Sequence, residues 1–137
     1  MTEAVIPRQT TQRRVIRETL EQADGPLTPQ EILGLASREL ATLGLATVYR
    51  NLNSMQEAGE IQVVHLPGDP TRYEPARQPH QHHHHFRCEL CGRVSVIEQP
   101  CPVEVLEGVT LPGGFQVTGH ALTLYGTCPD CQPAVQQ

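Results

Sequence analysis

The chain has 137 residues with a formal net charge of −5, and 38% of its residues are hydrophobic but only 4% aromatic. This length suits one domain or two small ones that share a modest core. The acidic charge argues against non-specific coating of nucleic acid, and the few aromatic residues argue against a large aromatic pocket. No apolar stretch approaches the roughly 20 residues that span a bilayer, and the first residues lack the apolar core of a signal peptide. We therefore expect a cytoplasmic protein whose five cysteines do not form structural disulfides, and the four that stand in two C-x-x-C pairs indicate a metal site.

The first lobe, residues 1–75, has the pattern of three helices followed by a β-hairpin. The region of the first helix carries an acid-free run of arginines that suits phosphate or guanine recognition: Arg8, Arg13, Arg14 and Arg17. Thr28-Pro29-Gln30-Glu31 matches a capping box with proline at the first helical position, and Gly59 ends the third helix. The expected elements are helices at 10–21, 29–40 and 46–58 and strands at 61–66 and 71–74. The expected inner faces of the three helices are Val15, Ile16 and Leu20 on the first, Ile32, Leu33, Leu35, Ala36 and Leu40 on the second, and Val48, Leu52 and Met55 on the third. This order favours a winged helix-turn-helix that places a helix in the major groove, with a small helical adaptor as the alternative.

The composition changes near residue 76, because residues 76–137 hold all five cysteines and six of the seven histidines. A polar, proline-bounded stretch joins the two parts, so we expect a hinge at 76–81 and a second domain at 82–137. The expected elements of this domain are strands at 86–88, 94–97, 115–118 and 121–125 and a short helix at 102–108. So small a sheet needs a metal, a partner chain or both.

Two C-x-x-C pairs, Cys88 with Cys91 and Cys128 with Cys131, give the strongest chemical signal. Four thiolates from two such pairs match a tetrahedral structural zinc site, and the long gap between the pairs indicates folded structure rather than a loop. A thioredoxin-like redox motif or two unrelated thiol pairs are the alternatives. Cys101 is left over and is interpreted as a half-buried small apolar residue rather than a ligand.

A histidine run, His80-Gln81-His82-His83-His84-His85, leads directly into the first cysteine pair. Side chains alternate between the faces of a strand, so His83 and His85 would point one way and His82 and His84 the other. One run can thus serve two metal sites. Imidazole binds several transition metals, and carboxylate partners shift the preference toward Mn(II) or Fe(II). A solvated polar linker is the alternative.

Three motifs in this order resemble the ferric uptake regulator family, from about Gln9 to Cys131. They are Thr47-Val48-Tyr49-Arg50-Asn51-Leu52, the H-x-H-x-x-C-x-x-C-G formed by His83, His85, Cys88, Cys91 and Gly92, and Gly119-His120-Ala121-Leu122-Thr123-Leu124-Tyr125-Gly126 followed by the second cysteine pair. The resemblance implies an α+β fold: an N-terminal winged helix-turn-helix and a small C-terminal α/β dimerisation domain with structural zinc.

The resemblance also implies a homodimer that closes onto double-stranded operator DNA when metal binds at the hinge. Tyr49 and Arg50 match positions that contact bases, and Arg8 matches a basic position near the minor groove. A helix-packing role is the alternative for Tyr49. The expected DNA-binding residues are Arg8, Arg13, Thr47, Tyr49, Arg50 and Asn51.

Two regulatory metal sites follow from the same resemblance. Glu74, His83 and His85 match the hinge sensor. A second site matches His82, His84, Glu104 and His120, although Glu104 is alternatively an exposed helix acid and His120 a hydrogen-bonded sheet residue.

Two departures leave the sensor incomplete: Pro26 stands where many members have His, and Val96 where many have an acid. His65, His80 or Glu98 would complete it. No cysteine lies just ahead of the histidine run, which favours Mn(II) or Fe(II) as co-repressor, with Zn(II) second.

Taken together, the sequence predicts a metal-dependent repressor of metal uptake and homeostasis genes that acts on an AT-rich operator. A peroxide-sensing regulator of the same fold and a metal-buffering zinc protein without DNA function are the alternatives. An enzyme is not expected, because no nucleophile–base pair is recognisable and a Cys-ligated zinc site is closed. We likewise expect neither an organic substrate nor a membrane partner.

Overall fold

The computed structural model describes residues 8–77, 83–97, 101, 103 and 106–133. The chain divides into two compact units, Met1–Gln78 and Pro79–Gln137, called the first and the second unit below. Helices and strands are both present, so the predicted α+β class is confirmed. None of the helices in the described residues is both long and apolar enough to cross a membrane.

Three α-helices open the first unit: α1 Arg8–Gln22, α2 Pro29–Ala36 and α3 Leu45–Glu57. Helix α2 begins as predicted, because the Thr28 hydroxyl accepts a hydrogen bond from the Glu31 N–H (3.2 Å) and the Glu31 carboxylate accepts one from the Thr28 N–H (3.1 Å). The prediction that α2 continues to Leu40 is wrong. After Ala36 the N–H groups of Arg38 and Glu39 bond three residues back, which tightens the chain into turns that end the helix.

One apolar core lies between these helices. The predicted inner residues of α1 and α3 are buried, with Val48, Leu52 and Met55 fully inaccessible to solvent. Leu35 was expected on the inner stripe of α2 but is 40% exposed. Ile32 and Ala36, one turn apart, take that inner face and leave Leu35 at its border.

A two-stranded antiparallel hairpin, β1 Ile61–Val64 and β2 Arg72–Pro75, completes the first unit. Gly59, with φ of 75°, follows α3 and starts the turn into β1. Both strands differ by a residue or two from the predicted 61–66 and 71–74. Leu27 and Tyr73 exchange two backbone hydrogen bonds (3.0 and 2.8 Å), which fix the hairpin to the helices. Three helices and a hairpin form the expected winged helix-turn-helix.

The strands described in the second unit are β3 His84–Cys88, β4 Val94–Ile97, β5 Thr110–Leu111, β6 Phe115–Gln116 and β7 Thr123–Gly126. They form a three-stranded sheet with the order β4-β3-β7 and a small separate hairpin, β5-β6. Strand β4 is antiparallel to β3, and β7 is parallel to it.

Several predicted bounds in the second unit were wrong. Strand β3 starts at His84 rather than Phe86, because His84 and His85 already pair with Ile97 and Val96 of β4. The strand expected at 115–118 shortens to two residues, and the one expected at 121–125 runs from Thr123 to Gly126. The helix expected at 102–108 falls partly outside the described residues.

Candidate metal centres and nucleic-acid interface

Four cysteines form the thiol cluster of the second unit: Cys88, Cys91, Cys128 and Cys131. Their Sγ atoms all lie within 4.8 Å of one another. The Cys91 and Cys128 Sγ atoms are 3.8 Å apart, which is the edge of about 3.8 Å that a zinc–sulfur tetrahedron requires. The parallel register aligns Cys88 with Gly126, two residues before Cys128, and so explains how pairs distant in sequence meet.

Hydrogen bonds prepare the thiol cluster for a cation. The Cys88 sulfur accepts the backbone N–H groups of Cys128 (3.4 Å) and Cys91 (3.5 Å), which lower the pKa of this thiol to about 6. Hydrogen bonds with Cys128 and Cys88 raise the pKa of Cys131 to about 12. Cys88 therefore loses its proton easily, whereas Cys131 keeps its proton until a divalent ion offsets the negative charge of the thiolates. These residues fit a structural Zn(II).

A second group in the same unit, the imidazole–thiol cluster, consists of His84, Cys101 and His120. The Cys101 Sγ lies 3.1 Å from His84 Nε2 and 3.0 Å from His120 Nε2, and the two nitrogens are 3.2 Å apart. Cys101 is half-buried, as expected, and its sulfur lies between two predicted ligands. His82 and Glu104, expected at the same site, lie outside the described residues.

Glu107 adds a carboxylate beside this cluster. Its Oε1 lies 3.4 Å from His120 Nδ1, on the side of the ring opposite the cluster. Metal-bound histidines commonly present their second nitrogen to such a carboxylate. No role was predicted for Glu107 from the sequence. No local pattern marks it, whereas an unassigned cysteine in a ligand-rich lobe was a usable signal for Cys101.

The expected hinge ligands belong to different units. Glu74 is buried on β2 of the first unit, where its Oε1 accepts a hydrogen bond from Gln62 Nε2 (2.7 Å). His83 and His85 belong to the second unit, where alternation places them on one face with ring centroids 4.8 Å apart.

Of the residues considered for completing the sensor, His65 is the one that lies in the described part of the chain. His65 is exposed and joins none of the potential ligand groups in the described part of the chain. His80 and Glu98 lie outside the described residues. Pro26 is fully buried and its carbonyl accepts a hydrogen bond from Arg72 (3.2 Å), while Val96 pairs with His85 in the sheet.

Helix α3 presents the expected base-reading residues to solvent. Tyr49 is 40% exposed and lies outside the core cluster, and Arg50 is also exposed. The Arg50 guanidinium donates to the Thr47 hydroxyl (3.0 Å), and the Asn51 amide donates to the Thr47 carbonyl (2.9 Å). These bonds restrain the polar side chains along one edge of the helix, which suits a recognition surface.

The arginines of α1 have different surroundings. Arg13 donates to the Ser54 hydroxyl (2.8 Å) and pairs with Glu60 (3.0 Å), so it joins α1 to the end of α3. Arg14 pairs with Glu18 on its own helix, and this hydrogen bond raises its pKa further. Arg8 begins α1, but its side chain is outside the described part of the structure.

Comparison with known proteins identifies the chain's relatives. The model of the ferric uptake regulator family matches residues 6–125. The ferric uptake regulation protein of Campylobacter jejuni is 35% identical over 125 residues, which span 89% of this chain and 78% of that protein.

Solved structures agree with this match. A zinc-bound manganese uptake regulator has a TM-score of 0.75 at 30% identity, with 89% of this chain and 91% of that chain covered. The ferric uptake regulator of Francisella tularensis with iron has a TM-score of 0.67 at 25% identity, with 96% and 98% covered. The chain therefore belongs to the ferric uptake regulator family and is a metal-responsive transcriptional regulator rather than an enzyme.

Proposed function

We propose that the protein is a homodimeric repressor of metal uptake and homeostasis genes, and that a regulatory ion held by Glu74, His83 and His85 drives it onto an AT-rich operator. The observation that carries this proposal is that the three ligands come from both units. A buried carboxylate comes from the last strand of the first unit, and two adjacent imidazoles come from the first strand region of the second.

Because the ligands come from two units, binding of the ion is coupled to the arrangement of those units. An ion that contacts all three side chains binds best when the units adopt one arrangement, so it shifts the population toward that arrangement. Coupling of this kind is typically worth about 1–3 kcal/mol, which corresponds to an operator affinity increased roughly 5- to 150-fold. A further ligand from His65, His80 or Glu98 would strengthen the coupling.

The donor set determines which ion we expect. One carboxylate and two imidazoles favour Mn(II) or Fe(II), with Zn(II) second. The thiol cluster holds a separate structural Zn(II), because four sulfur ligands close the coordination sphere and leave no position for exchange with substrate. Zinc there supports folding, whereas the hinge ion regulates.

The second unit also presents a surface for a second copy. Its hairpin and β7 leave apolar side chains largely exposed, namely Leu111, Phe115, Leu124 and Tyr125. Exposed apolar side chains in so small a unit fit burial against a second copy, which suits the symmetry of an inverted-repeat operator. Two copies would bring two α3 helices to successive major grooves, where Tyr49 and Arg50 read bases and Arg8 approaches the minor groove.

Operator binding measured by fluorescence anisotropy tests this proposal. The protein is prepared with zinc retained in the thiol cluster and the labile ion chelated, and the metal content is verified by elemental analysis. Adding Mn(II) or Fe(II) should increase affinity for an AT-rich inverted repeat, and His83→Ala should abolish that increase. Equal affinity with and without the labile ion would refute the proposal.

A second comparison separates repression from metal buffering. Arg50→Ala should lose operator binding while keeping its metal content, whereas Arg38→Ala, an exposed arginine outside α3, should bind as the wild type does. Unchanged operator binding by Arg50→Ala would show that α3 does not read the operator.

A further inference from the structure

We propose that Cys101 is a metal ligand, and that together with His84 and His120 it forms a site that takes Zn(II) in preference to Mn(II). This site is separate from the thiol cluster and from the proposed hinge ligands. It also differs from the ligand set that the resemblance implied, in which a carboxylate rather than a thiolate joins the histidines. The inference does not depend on operator binding.

The spacing of the three donor atoms supports a shared ion. Zinc lies about 2.0–2.1 Å from imidazole nitrogen and about 2.3 Å from thiolate sulfur, so tetrahedral angles place two nitrogens about 3.3 Å apart and nitrogen and sulfur about 3.5 Å apart. The observed separations are 3.2 Å between the nitrogens and 3.0–3.1 Å from each nitrogen to sulfur. The atoms need to move apart by only a few tenths of an ångström.

Ordinary two-centre hydrogen bonds fill at most two sides of this triangle. A ring nitrogen of histidine either donates or accepts, but never does both. With one nitrogen as donor and the other as acceptor, the only hydrogens available to the triangle are one N–H and the thiol S–H. A cation among the three atoms would instead contact all three donor atoms at once.

Glu107 indicates which nitrogen of His120 faces the cluster as an acceptor. Its carboxylate lies 3.4 Å from Nδ1, so it favours a proton on that atom and leaves the Nε2 lone pair directed toward Cys101 and His84. The same arrangement orients histidines in established zinc sites.

The thiolate determines the class of ion. Cysteine sulfur is a soft donor that suits zinc, whereas Mn(II) prefers carboxylate, carbonyl and water oxygens. His84 is buried and Cys101 half-buried, so the sulfur is partly shielded from solvent. A single chain would then combine a thiolate-containing zinc site with a carboxylate-containing hinge site.

Cobalt(II) substitution tests the assignment, because Co(II) bound to thiolate absorbs in the near ultraviolet. Full-length protein with Zn(II) retained in the thiol cluster is titrated with Co(II), and zinc release is monitored throughout. We expect a thiolate-to-cobalt band in the wild type and in His83→Ala, and no band in Cys101→Ser. The same band in Cys101→Ser, without release of zinc from the thiol cluster, would overturn the proposal.

Competition experiments test the ion preference independently. Cys101→Ser should weaken Zn(II) binding at this site at least tenfold, and Glu107→Gln should weaken it about tenfold through His120. Cys101→Asp should bind Mn(II) more tightly than the wild type does, because it replaces sulfur by oxygen. Unchanged Zn(II) affinity in Cys101→Ser, in a variant whose thiol-cluster zinc is intact, would show that Cys101 is not a ligand.

Discussion

Replacing Arg72 by Met tests how the first unit holds its hairpin. The guanidinium is almost fully buried and pairs with Asp69, whose side chain is only 2% exposed. It also bonds Glu31 (2.8 Å) at the start of α2 and the Pro26 carbonyl (3.2 Å). Met fills a similar volume but leaves the buried Asp69 charge without this partner. Breaking a buried pair in this way typically costs about 3–5 kcal/mol, so we expect a loss of that size in the free energy of unfolding.

Urea unfolding followed by the helical circular dichroism signal measures this loss. Every α-helix in the described residues belongs to the first unit, so the signal reports that unit. Arg14→Met is the matched control, because the Arg14–Glu18 pair is exposed and such pairs contribute little to stability. Adding Asp69→Asn to Arg72→Met should recover part of the stability by removing the buried charge. A loss for Arg72→Met no larger than that for Arg14→Met would refute the reasoning.

Three further predictions follow from individual contacts. Thr28→Ala removes the cap of α2 and should lower the free energy of unfolding by about 1 kcal/mol in the same urea assay, whereas an unchanged value would mean that the capping box contributes nothing. Arg13→Ala should lower the free energy of unfolding by more than it lowers the free energy of operator binding, because this side chain is hydrogen-bonded to Ser54. A variant that loses operator affinity but keeps its stability would contradict that role. Phe115→Glu places a charge on a side chain that is 69% exposed, and analytical ultracentrifugation should show monomers, while an intact dimer would place the interface elsewhere.

Local signals in the sequence predicted local structure well. The capping box at Thr28 and the glycine at position 59 determine where α2 begins and where α3 gives way to β1, because each acts through the backbone of its neighbours. The alternation of histidines likewise separated His83 and His85 from His84. Features that depend only on nearby residues were therefore accessible from the sequence.

Predictions that depended on packing between elements were less accurate. The apolar pattern extended α2 to Leu40 and placed Leu35 inward, but turn hydrogen bonds end the helix early and Ile32 and Ala36 occupy its inner face. Strand β3 begins two residues earlier than predicted, because its pairing with β4 already includes His84 and His85.

The sequence by itself determined the chemistry that is available: two cysteine pairs, a histidine run and an exposed arginine on a helix that can enter a groove. Tertiary structure decided the grouping of these donors. His84, Cys101 and His120 lie 17 to 36 positions apart in the chain, and they meet because the sheet register and its connections bring them together. Spacing along the chain predicts which ligands close in sequence form a pair. Only the register of paired strands determines which ligand distant in sequence lies beside that pair.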